Sequence, residues 1–419
     1  MKRNRNSKLK LGTLGMCLGA IVTSGVSVHA QDKVDKLEKE NQLLKQRLDA
    51  LEAAAKKEGV VASGLPVKAM SDISISGFVQ SSYFFNTEQP KDGLSDGYLW
   101  NTKHNSFSLN KVKITLASKA VEKSGDKWDA GFRTSLMWGE DAGALNTTPA
   151  TSGAIREAFV EANIPVGTGL NFKAGQLISL LNYESGDGGA ANANFSQGNQ
   201  WWYTGNGPNA GVQLGYSLTD WLDLTVRVEN GLYAGSVDSN GAKLVMGSLA
   251  FKPNDKLWFN LIGFVPLGGP TAGNDGVRGG SILAGYKVSD PFSVGFEGDY
   301  FSFDKNPNGF AKDSALWSVG AWLGYDFSPK FGVAFRGDYL KDQDGAGLLG
   351  GGIGGHGAAS AIGVAGKGDL SSLTFTLNFK PTPNIKFQPE IRIDHTSYTG
   401  GLDGKKDRVI VGAGVTYSF

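Results

Sequence analysis

The most constraining feature of this sequence is a series of short runs in which apolar and polar residues alternate. Sixteen such runs lie between residue 73 and the C-terminus, separated by stretches rich in Gly, Asn, Asp and Pro. Because a β-strand has a period of two, each run predicts a strand with one apolar face and one polar face. The runs begin near Ile73, Phe107, Lys127, Ile155, Leu170, Asn209, Leu222, Leu244, Leu257, Ser281, Phe292, Leu316, Phe331, Leu373, Ile385 and Val409.

The connections between these runs alternate in length. Seven are short ("KSGD", "PVGTG", "LTDW", "KPND", "SDP", "DFSPK" and "KPTPN"), and the eight between them are longer. A sixteen-stranded barrel with both ends of the chain on one side has seven connections on that side and eight on the other. Tight turns on one side and long loops on the other are typical of outer-membrane barrels. The sequence therefore predicts an all-β fold over residues 73–419, a sixteen-stranded antiparallel transmembrane barrel.

Charged residues of both signs recur on the faces opposite the apolar ones, as in "FSVGFEGDY" and "IKFQPEIRID". A soluble β-sandwich is the alternative, but it would scatter its charges over an outer surface. If the sheet closes, the charged face is enclosed and requires water, and the apolar face meets lipid. We predict that seven of these residues line a water-filled pore: Arg227, Glu229, Arg336, Asp338, Glu390, Arg392 and Asp394.

The first thirty residues have the pattern of a cleaved secretory signal. A basic segment, "MKRNRNSKLK", precedes an apolar stretch and the cleavage pattern Val28-His29-Ala30. Met16 before Cys17 does not suit a lipoprotein signal, and Cys17 is the only cysteine of the chain. The predicted mature chain therefore has no disulfide and no cysteine-ligated metal. Removal of the five positive charges changes the net charge from +1 to −4, which argues against nucleic acid as a partner.

Residues 31–58 predict a short α-helical coiled coil in the periplasm, and residues 59–72 predict a linker. Apolar residues recur at alternating spacings of three and four, which is the seam of a coiled coil. Asn41 in this seam favours a dimer, whereas Arg47 and Glu52 fit a short trimerisation pattern. The alternative is one helix packed on its own barrel. We predict self-association, with a trimer preferred, through Val34, Leu37, Asn41, Leu44, Arg47, Leu48, Leu51 and Glu52.

The C-terminal run, "RVIVGAGVTYSF", places apolar residues at every second position and ends in Phe419. This ending resembles the signal that the outer-membrane assembly machinery reads. We therefore predict that Phe419 is the assembly signal and that this machinery is a partner.

The third long connection, from Leu177 to Tyr203, is the predicted pore constriction. It opens with the aliphatic-rich "LISLLNY", which can pack on the barrel wall if the loop folds inward. Its acids Glu184 and Asp187 would then face basic residues at inward positions, for which the candidates are Lys111, Lys113, Arg133 and Lys173. In the alternative, the loop lies outside and its tryptophans belong to the interfacial aromatic girdle.

Catalytic chemistry has little support in this sequence. After signal removal only His104, His356 and His395 remain. An outer-membrane phospholipase would need Ser, His and Asn together, and "KHNS" at 103–106 offers these residues only as sequence neighbours. We predict no enzymatic activity, no cofactor and no metal site.

The barrel region resembles a known family, the OmpL-like β-barrel porins. The resemblance is carried by "ISISGFVQSSYFFNT", "SFSLNKVKITLAS", "REAFVEANIPVGTGLNFKAGQLISLLNYE" and "GVQLGYSLTDWLDLTVRVENGL". It covers most of residues 73–419 and rests on pattern more than on invariant motifs. It implies a passive diffusion channel for small hydrophilic solutes or ions in the bacterial outer membrane and, by likeness to porins generally, a homotrimer surrounded by lipid. The alternative is a structural anchor with a plugged barrel that tethers the membrane through its coiled coil.

Overall fold

The computed structural model describes residues 39, 42–47, 49–50, 73–98, 101–145, 154–232, 234–238, 241–267, 276–304, 313–344, 367–399 and 401–419. The predicted signal peptide, the linker and most of the predicted coiled coil lie outside this range. Within the coiled-coil segment, Leu44 and Arg47 are described, and both lie in helix. The described helices include none that is both long and apolar enough to cross a membrane.

The chain divides into two units, Met1–Ser71 and Asp72–Phe419, and the second is a closed barrel of sixteen antiparallel strands. Each strand pairs with its sequence neighbours, and β1 pairs with β16 to close the sheet. The strands are β1 Ile73–Asn86, β2 Ser106–Ser118, β3 Asp129–Trp138, β4 Ile155–Ile164, β5 Leu170–Leu177, β6 Asn209–Thr219, β7 Leu222–Glu229, β8 Lys243–Phe251, β9 Leu257–Leu267, β10 Val277–Lys287, β11 Phe292–Phe303, β12 Ser314–Ser328, β13 Phe331–Asp342, β14 Gly368–Thr382, β15 Ile385–Thr396 and β16 Asp407–Ser418. The predicted number of strands and the closed antiparallel architecture are confirmed.

The two faces of the strands have the predicted chemistry. On β15, Ile391 and Ile393 are 40% and 47% exposed, whereas Arg392 between them is 2% exposed. On β13, Phe335 is outward and Arg336 is buried inside the barrel. Because one face is apolar around the barrel, it suits lipid, and the charged face is enclosed.

The connections are short on one side of the barrel and long on the other, with one exception. Six of the seven connections on the short side have five residues or fewer, as in residues 220–221 and 329–330, but the β2–β3 connection spans 119–128. The long side carries the first loop (residues 87–105), the inner loop (residues 178–208) and the last loop (residues 397–406). By the usual asymmetry of such barrels, the long loops mark the extracellular side.

Barrel closure uses the C-terminal residue. The N–H of Phe419 donates to the carbonyl of Gly77 at 3.0 Å, and the N–H of Gly77 donates back to Phe419 at 3.0 Å. The side chain of Phe419 is 52% exposed on the short-turn side. The terminal aromatic is therefore held by its backbone in the last hydrogen-bond pair of the seam.

Candidate functional site

The inner loop lies inside the barrel. It contains a 3₁₀ turn, Gly188–Ala190, and a short helix, Asn199–Tyr203. Its backbone reaches strands far along the sheet, since the N–H of Tyr183 donates to Glu297 on β11 at 2.9 Å and that of Phe195 donates to Glu390 on β15 at 2.8 Å. The loop therefore folds inward, and its tryptophans do not belong to an outer girdle.

The inner face of strands β11–β15 is here named the anchoring wall. Its carboxylates hold the inner loop. Glu390 accepts hydrogen bonds from the backbone N–H and hydroxyl of Ser196 and from the hydroxyl of Thr376. Asp338 accepts from the backbone N–H of Asn199 at 3.2 Å and from its side-chain amide at 3.1 Å. A buried carboxylate without donors is costly, so these contacts fix the loop against this wall.

Two aromatic side chains of the inner loop lie directly over glycines of β11 and β16. The ring of Tyr183 stacks on Trp322 with centroids 4.6 Å apart, and a β-carbon at Gly295 would overlap that ring. In the same way, a β-carbon at Gly414 would overlap the ring of Phe195. Each glycine therefore leaves the space that one aromatic side chain occupies.

Glu184 is bonded to the anchoring wall and not to the basic residues that the sequence suggested. Its carboxylate accepts from Arg336 Nη1 at 2.9 Å, from Trp322 Nε1 at 3.1 Å and from the N–H of Gly198 at 2.6 Å. The preceding residue, Tyr183, is fixed on the β11–β12 side of the lumen, and this directs Glu184 to the anchoring wall. Glu184 thus lines the same cavity as Lys113, Arg133 and Lys173. Its ion-pair partner, however, is Arg336 of the anchoring wall.

Asp187 does meet one of the predicted bases. Both of its carboxylate oxygens accept from Lys113 Nζ, at 3.0 and 2.9 Å. Lys111 lies elsewhere, buried against Asp141 at 3.4 Å and Gln80 at 3.2 Å. Burial raises the pKa of the Asp141 carboxyl, and the charge of Lys111 opposes that rise.

The remaining two predicted bases pair with acids on the neighbouring strand β4. Arg133 Nε lies 2.7 Å from Glu157, and Lys173 Nζ lies 3.4 Å from Glu161. Neither contacts Glu184 or Asp187 in the pairs that the structure shows. Sequence reasoning overlooked these acids because it compared the bases only with the charges of the loop.

Arg156 is a further charged residue of the lumen that strand alternation does not find. The register between β3 and β4 shifts where Ser135 pairs with Glu157 and Leu136 pairs with Ile155. A bulge of this kind inserts one residue and lets two consecutive side chains turn to the same side. Arg156 and Glu157 are accordingly both buried, at 7% and 3% exposed.

A cavity of about 580 Å³ lies between the inner loop and β2–β7, here named the free wall. A smaller cavity of about 340 Å³ lies between the inner loop and Trp258, Ser293 and Trp322. The charged lining residues of the larger cavity are Lys113, Arg133, Arg156, Glu157, Lys173, Glu184, Asp187 and Arg227. Arg133 is 43% exposed and Lys173 is 26% exposed, so their charged groups face the cavity. The site is therefore a cavity with a charged lining.

All seven residues predicted to line the pore are buried inside the barrel: Arg227, Glu229, Arg336, Asp338, Glu390, Arg392 and Asp394. Among them, Arg227 borders the larger cavity. Alternation identifies which side chains point inward, whereas the loops determine which of them border the cavity.

The first loop also enters the barrel, through Tyr98. The guanidinium groups of Arg392 and Arg408 lie over its ring, 4.4 and 4.3 Å from the centroid. Its hydroxyl donates to Asp394 at 2.6 Å, and Asp394 also accepts from Arg392 and Arg408. Burial raises the pKa of Tyr98. Nothing near Tyr98 in the sequence indicates this contact.

The histidines do not form a catalytic group in the described part of the chain. His104 Nδ1 accepts from the N–H of Asn86 at 3.0 Å, and His395 lies on the outside beside Asp407 at 2.6 Å. His356 falls outside the described residues. The described residues include no group of three or more His, Cys, Asp or Glu that could hold a metal ion.

Solved structures with a similar fold include outer-membrane proteins of several bacteria. The channel DcaP of Acinetobacter baumannii matches with a TM-score of 0.52 and 14% identity, over 83% of this chain and 97% of that chain. An anion-selective porin from Comamonas acidovorans matches with a TM-score of 0.52 and 11% identity, over 83% and 99%. A loop-deletion mutant of OmpT from Vibrio cholerae matches with a TM-score of 0.51 and 9% identity, over 83% and 99%.

At these identities the similarity shows the fold alone. No curated protein matches the sequence. The model of the family described as "Putative beta-barrel porin-2, OmpL-like" matches residues 72–419, which is the whole barrel. The chain therefore belongs to the OmpL-like β-barrel porin family.

Proposed function

We propose that this protein is a passive diffusion channel for small hydrophilic solutes and ions in the bacterial outer membrane. The observation that carries this proposal is the cavity of about 580 Å³ between the inner loop and the free wall. Its charged lining requires water, and a water-filled, charged passage selects solutes by width and charge. Two proteins of similar fold are described as an outer membrane channel and an anion-selective porin, which supports a channel role over an enzymatic one.

The charges along the free wall favour weak selectivity between anions and cations. Four of the five bases that border the cavity have acidic partners at short distance: Lys113 with Asp187, Arg133 with Glu157, Lys173 with Glu161, and Arg227 with Glu229. The fifth, Arg156, is buried. Paired charges give strong local fields and little net charge. We therefore expect ions of both signs and polar neutral solutes to pass more readily than apolar ones.

Cysteine accessibility tests the route of the channel. The single native cysteine, Cys17, lies in the predicted signal peptide, so an introduced thiol is the only one of the mature chain. In a Lys173→Cys variant, a charged thiosulfonate reagent should react at the cavity and reduce the single-channel current. Lys123→Cys is the matched control. Lys123 lies in the β2–β3 connection and its native side chain is 46% exposed, so the variant should react without a change in the current. Reaction at residue 173 with unchanged current would show that ions take another route.

A structural anchor with a plugged barrel is the second candidate. The observation in its favour is that the first loop and the inner loop cover much of the inner face of β11–β16, as the contacts of Tyr98 and Phe195 show. The anchor function predicts folded protein with no conductance in planar bilayers. A reproducible conductance that reacts to modification at residue 173 excludes it.

We further propose that the protein is a homotrimer and that residues 31–58 hold the copies together in the periplasm. The support is the heptad pattern and the Arg47/Glu52 spacing. Sedimentation of the full mature chain should give the mass of three copies, and deletion of residues 32–56 should weaken the association. A monomeric full-length chain at high concentration would rule this out.

For assembly, we propose that Phe419 is read by the outer-membrane assembly machinery. Phe419→Ser keeps the backbone bonds to Gly77 but removes the exposed ring. The amount of heat-modifiable barrel in the outer membrane should fall, while refolding of the purified chain in detergent should be unchanged. Normal membrane levels would argue against a signal at this residue.

A further inference from the structure

The outer face of the barrel carries a groove between β7 and β12. It has a volume of about 860 Å³ and an almost entirely apolar lining. The groove floor contains four glycines on consecutive strands: Gly247 on β8, Gly263 on β9, Gly280 on β10 and Gly298 on β11. The first three form a row, since Gly247 pairs with Gly263 and Gly263 pairs with Gly280.

This glycine row faces lipid and not the lumen. On β8 the inward side chains are Leu244 and Met246, which are 2% and 0% exposed, so Gly247 points outward. On β9 the outward neighbours of Gly263 are Leu261 and Val265, at 40% and 53% exposed. The groove therefore opens into the apolar belt of the membrane.

Backbone geometry does not require glycine at two of these positions. A β-carbon at Gly247 or Gly263 would find its nearest neighbouring atom 4.0 Å away, which is open space. At Gly280, in contrast, the carbonyl oxygen of Ile262 at 2.6 Å leaves no room. Because glycine weakens a strand and contributes no side chain to the lipid contact, its use at Gly247 and Gly263 is best explained by the groove itself.

The groove extends from Leu224 and Leu249, near the short-turn ends of β7 and β8, to Trp317, near the loop end of β12. Its part on β10–β12 therefore lies in the half of the barrel nearest the long loops, which is the half in the outer leaflet. Gly280 is near the loop end of β10, and Tyr300, its partner on β11, forms one side of the groove together with Trp317. Aromatic side chains at this height are typical of the membrane interface, where acyl chains meet headgroups.

Two cations stand on the outward face above the groove. Arg278 is two residues before Gly280 on β10, about 7 Å towards the loops, and Lys243 begins β8 on the same face as Gly247. The side chains are 52% and 36% exposed. Each has an acidic neighbour, Asp304 at 2.7 Å for Arg278 and Asp238 for Lys243, and each keeps further donors that can reach a phosphate.

We propose that this groove is a binding site for the phosphorylated glycolipid of the outer leaflet. One acyl chain lies in the glycine row between Gly247 and Gly280, and a sugar phosphate lies against Arg278 and Lys243. Basic residues above an apolar cleft recognise phosphorylated lipids by this combination of charge and shape. The site is independent of the channel, because it lies on the other face of the sheet.

Native mass spectrometry of the full mature chain, titrated with lipid A in a mild detergent, tests the proposal. The double variant Gly247→Leu/Gly263→Leu fills the groove without a backbone clash and should bind lipid A at least fivefold more weakly. Arg278→Gln and Lys243→Gln should each weaken binding by about fivefold. Heat-modifiable migration of every variant verifies that the barrel is folded.

The matched controls are Ala413→Leu and Lys406→Gln. Ala413 is an exposed, outward residue on β16, and Lys406 is an exposed lysine on the same side of the barrel as Arg278. Both should bind lipid A like the native protein. Equal affinity of the native chain and the groove variants would overturn the proposal, and so would equal binding of phosphatidylethanolamine and lipid A. A change of oligomeric mass in the double leucine variant, with lipid binding kept, would make the groove a subunit contact and would also overturn it.

Discussion

The anchoring wall and the free wall of the lumen are built from the same kind of strand but have different roles. On the anchoring wall, Glu390 and Asp338 accept hydrogen bonds from the inner loop. On the free wall, Glu157 and Glu161 pair with Arg133 and Lys173 of neighbouring strands. Both walls carry inward charges. The course of the inner loop therefore determines which of these charges bind the loop and which line the cavity.

The largest difference between the walls is expected on removal of a buried base. Arg336→Met on the anchoring wall leaves Glu184 without its ion-pair partner in a site where both side chains are at most 3% exposed. Breaking a buried pair from one side costs about 3–5 kcal/mol. We expect the free energy of unfolding, measured with denaturant in detergent micelles, to fall by about that amount.

The control is Lys173→Met on the free wall. Lys173 and Glu161 are 26% and 23% exposed, so solvent screens their pair and the expected loss is below about 1 kcal/mol. Similar losses in both variants would mean that the two walls do not differ as their contacts indicate.

A smaller effect is expected from a methyl group added to each wall. Gly295→Ala on the anchoring wall places a β-carbon in the ring of Tyr183 and should displace it from Trp322, at a cost of about 1–3 kcal/mol. Gly215→Ala on the free wall meets its nearest atom at 3.8 Å and should change stability by about 0.5 kcal/mol or less. Unfolding midpoints and tryptophan fluorescence measure both. An unchanged fluorescence spectrum in Gly295→Ala would mean that Tyr183 does not depend on that glycine.

The two acids of the inner loop should separate selectivity from loop attachment. Asp187 is 23% exposed and borders the cavity, so Asp187→Asn should increase the anion-to-cation permeability ratio roughly twofold to fivefold. Glu184 is 3% exposed and neutralised by Arg336, so Glu184→Gln should leave this ratio nearly unchanged and should increase current noise instead. Reversal potentials in a salt gradient measure the ratio. An equal shift in the two variants would place both acids in the ion path.

Sequence periodicity predicts the strands well because closure of the sheet leaves each strand one wet face and one lipid face. Nine strands begin at the predicted residue, for example Ile155 and Phe331. The largest difference is at β14, which begins at Gly368 and not near Leu373. Backbone pairing continues there beyond the part of the strand that needs an apolar face, so the apolar pattern starts later than the strand.

The candidate site was predicted less completely than the strands. The inward course of the inner loop and the Asp187–Lys113 pair agree with the sequence interpretation, because aliphatic residues in a loop need a wall and opposite charges need partners. The partner of Glu184 depends on where the loop turns, which no local pattern encodes. Arg156 depends on a register shift between two strands, and such a shift is a property of the pair and not of either sequence.

The smallest expected effect concerns a contact between two loops. Asp96 of the first loop and Asp403 of the last loop hold each other by reciprocal bonds: the N–H of Asp96 donates to Asp403 at 2.8 Å, and the N–H of Asp403 donates to Asp96 at 3.2 Å. Burial and, secondly, the nearby charge of Asp403 raise the pKa of Asp96 above its usual 3.8. The folded protein therefore binds this proton more tightly than the unfolded chain does. The stability that protonation contributes is fully present below pH 3.8 and is lost as the pH rises through the higher folded-state pKa.

Asp96→Asn keeps an acceptor oxygen for Asp403 and removes the charge. The melting temperature should therefore rise slightly at pH 7, by less than about 2 °C, and should equal that of the native protein near pH 3. Asp220→Asn, on the opposite side of the barrel, is the control. A lower melting temperature of Asp96→Asn at pH 7 would show that the charged carboxylate stabilises this contact, against the direction expected from its burial.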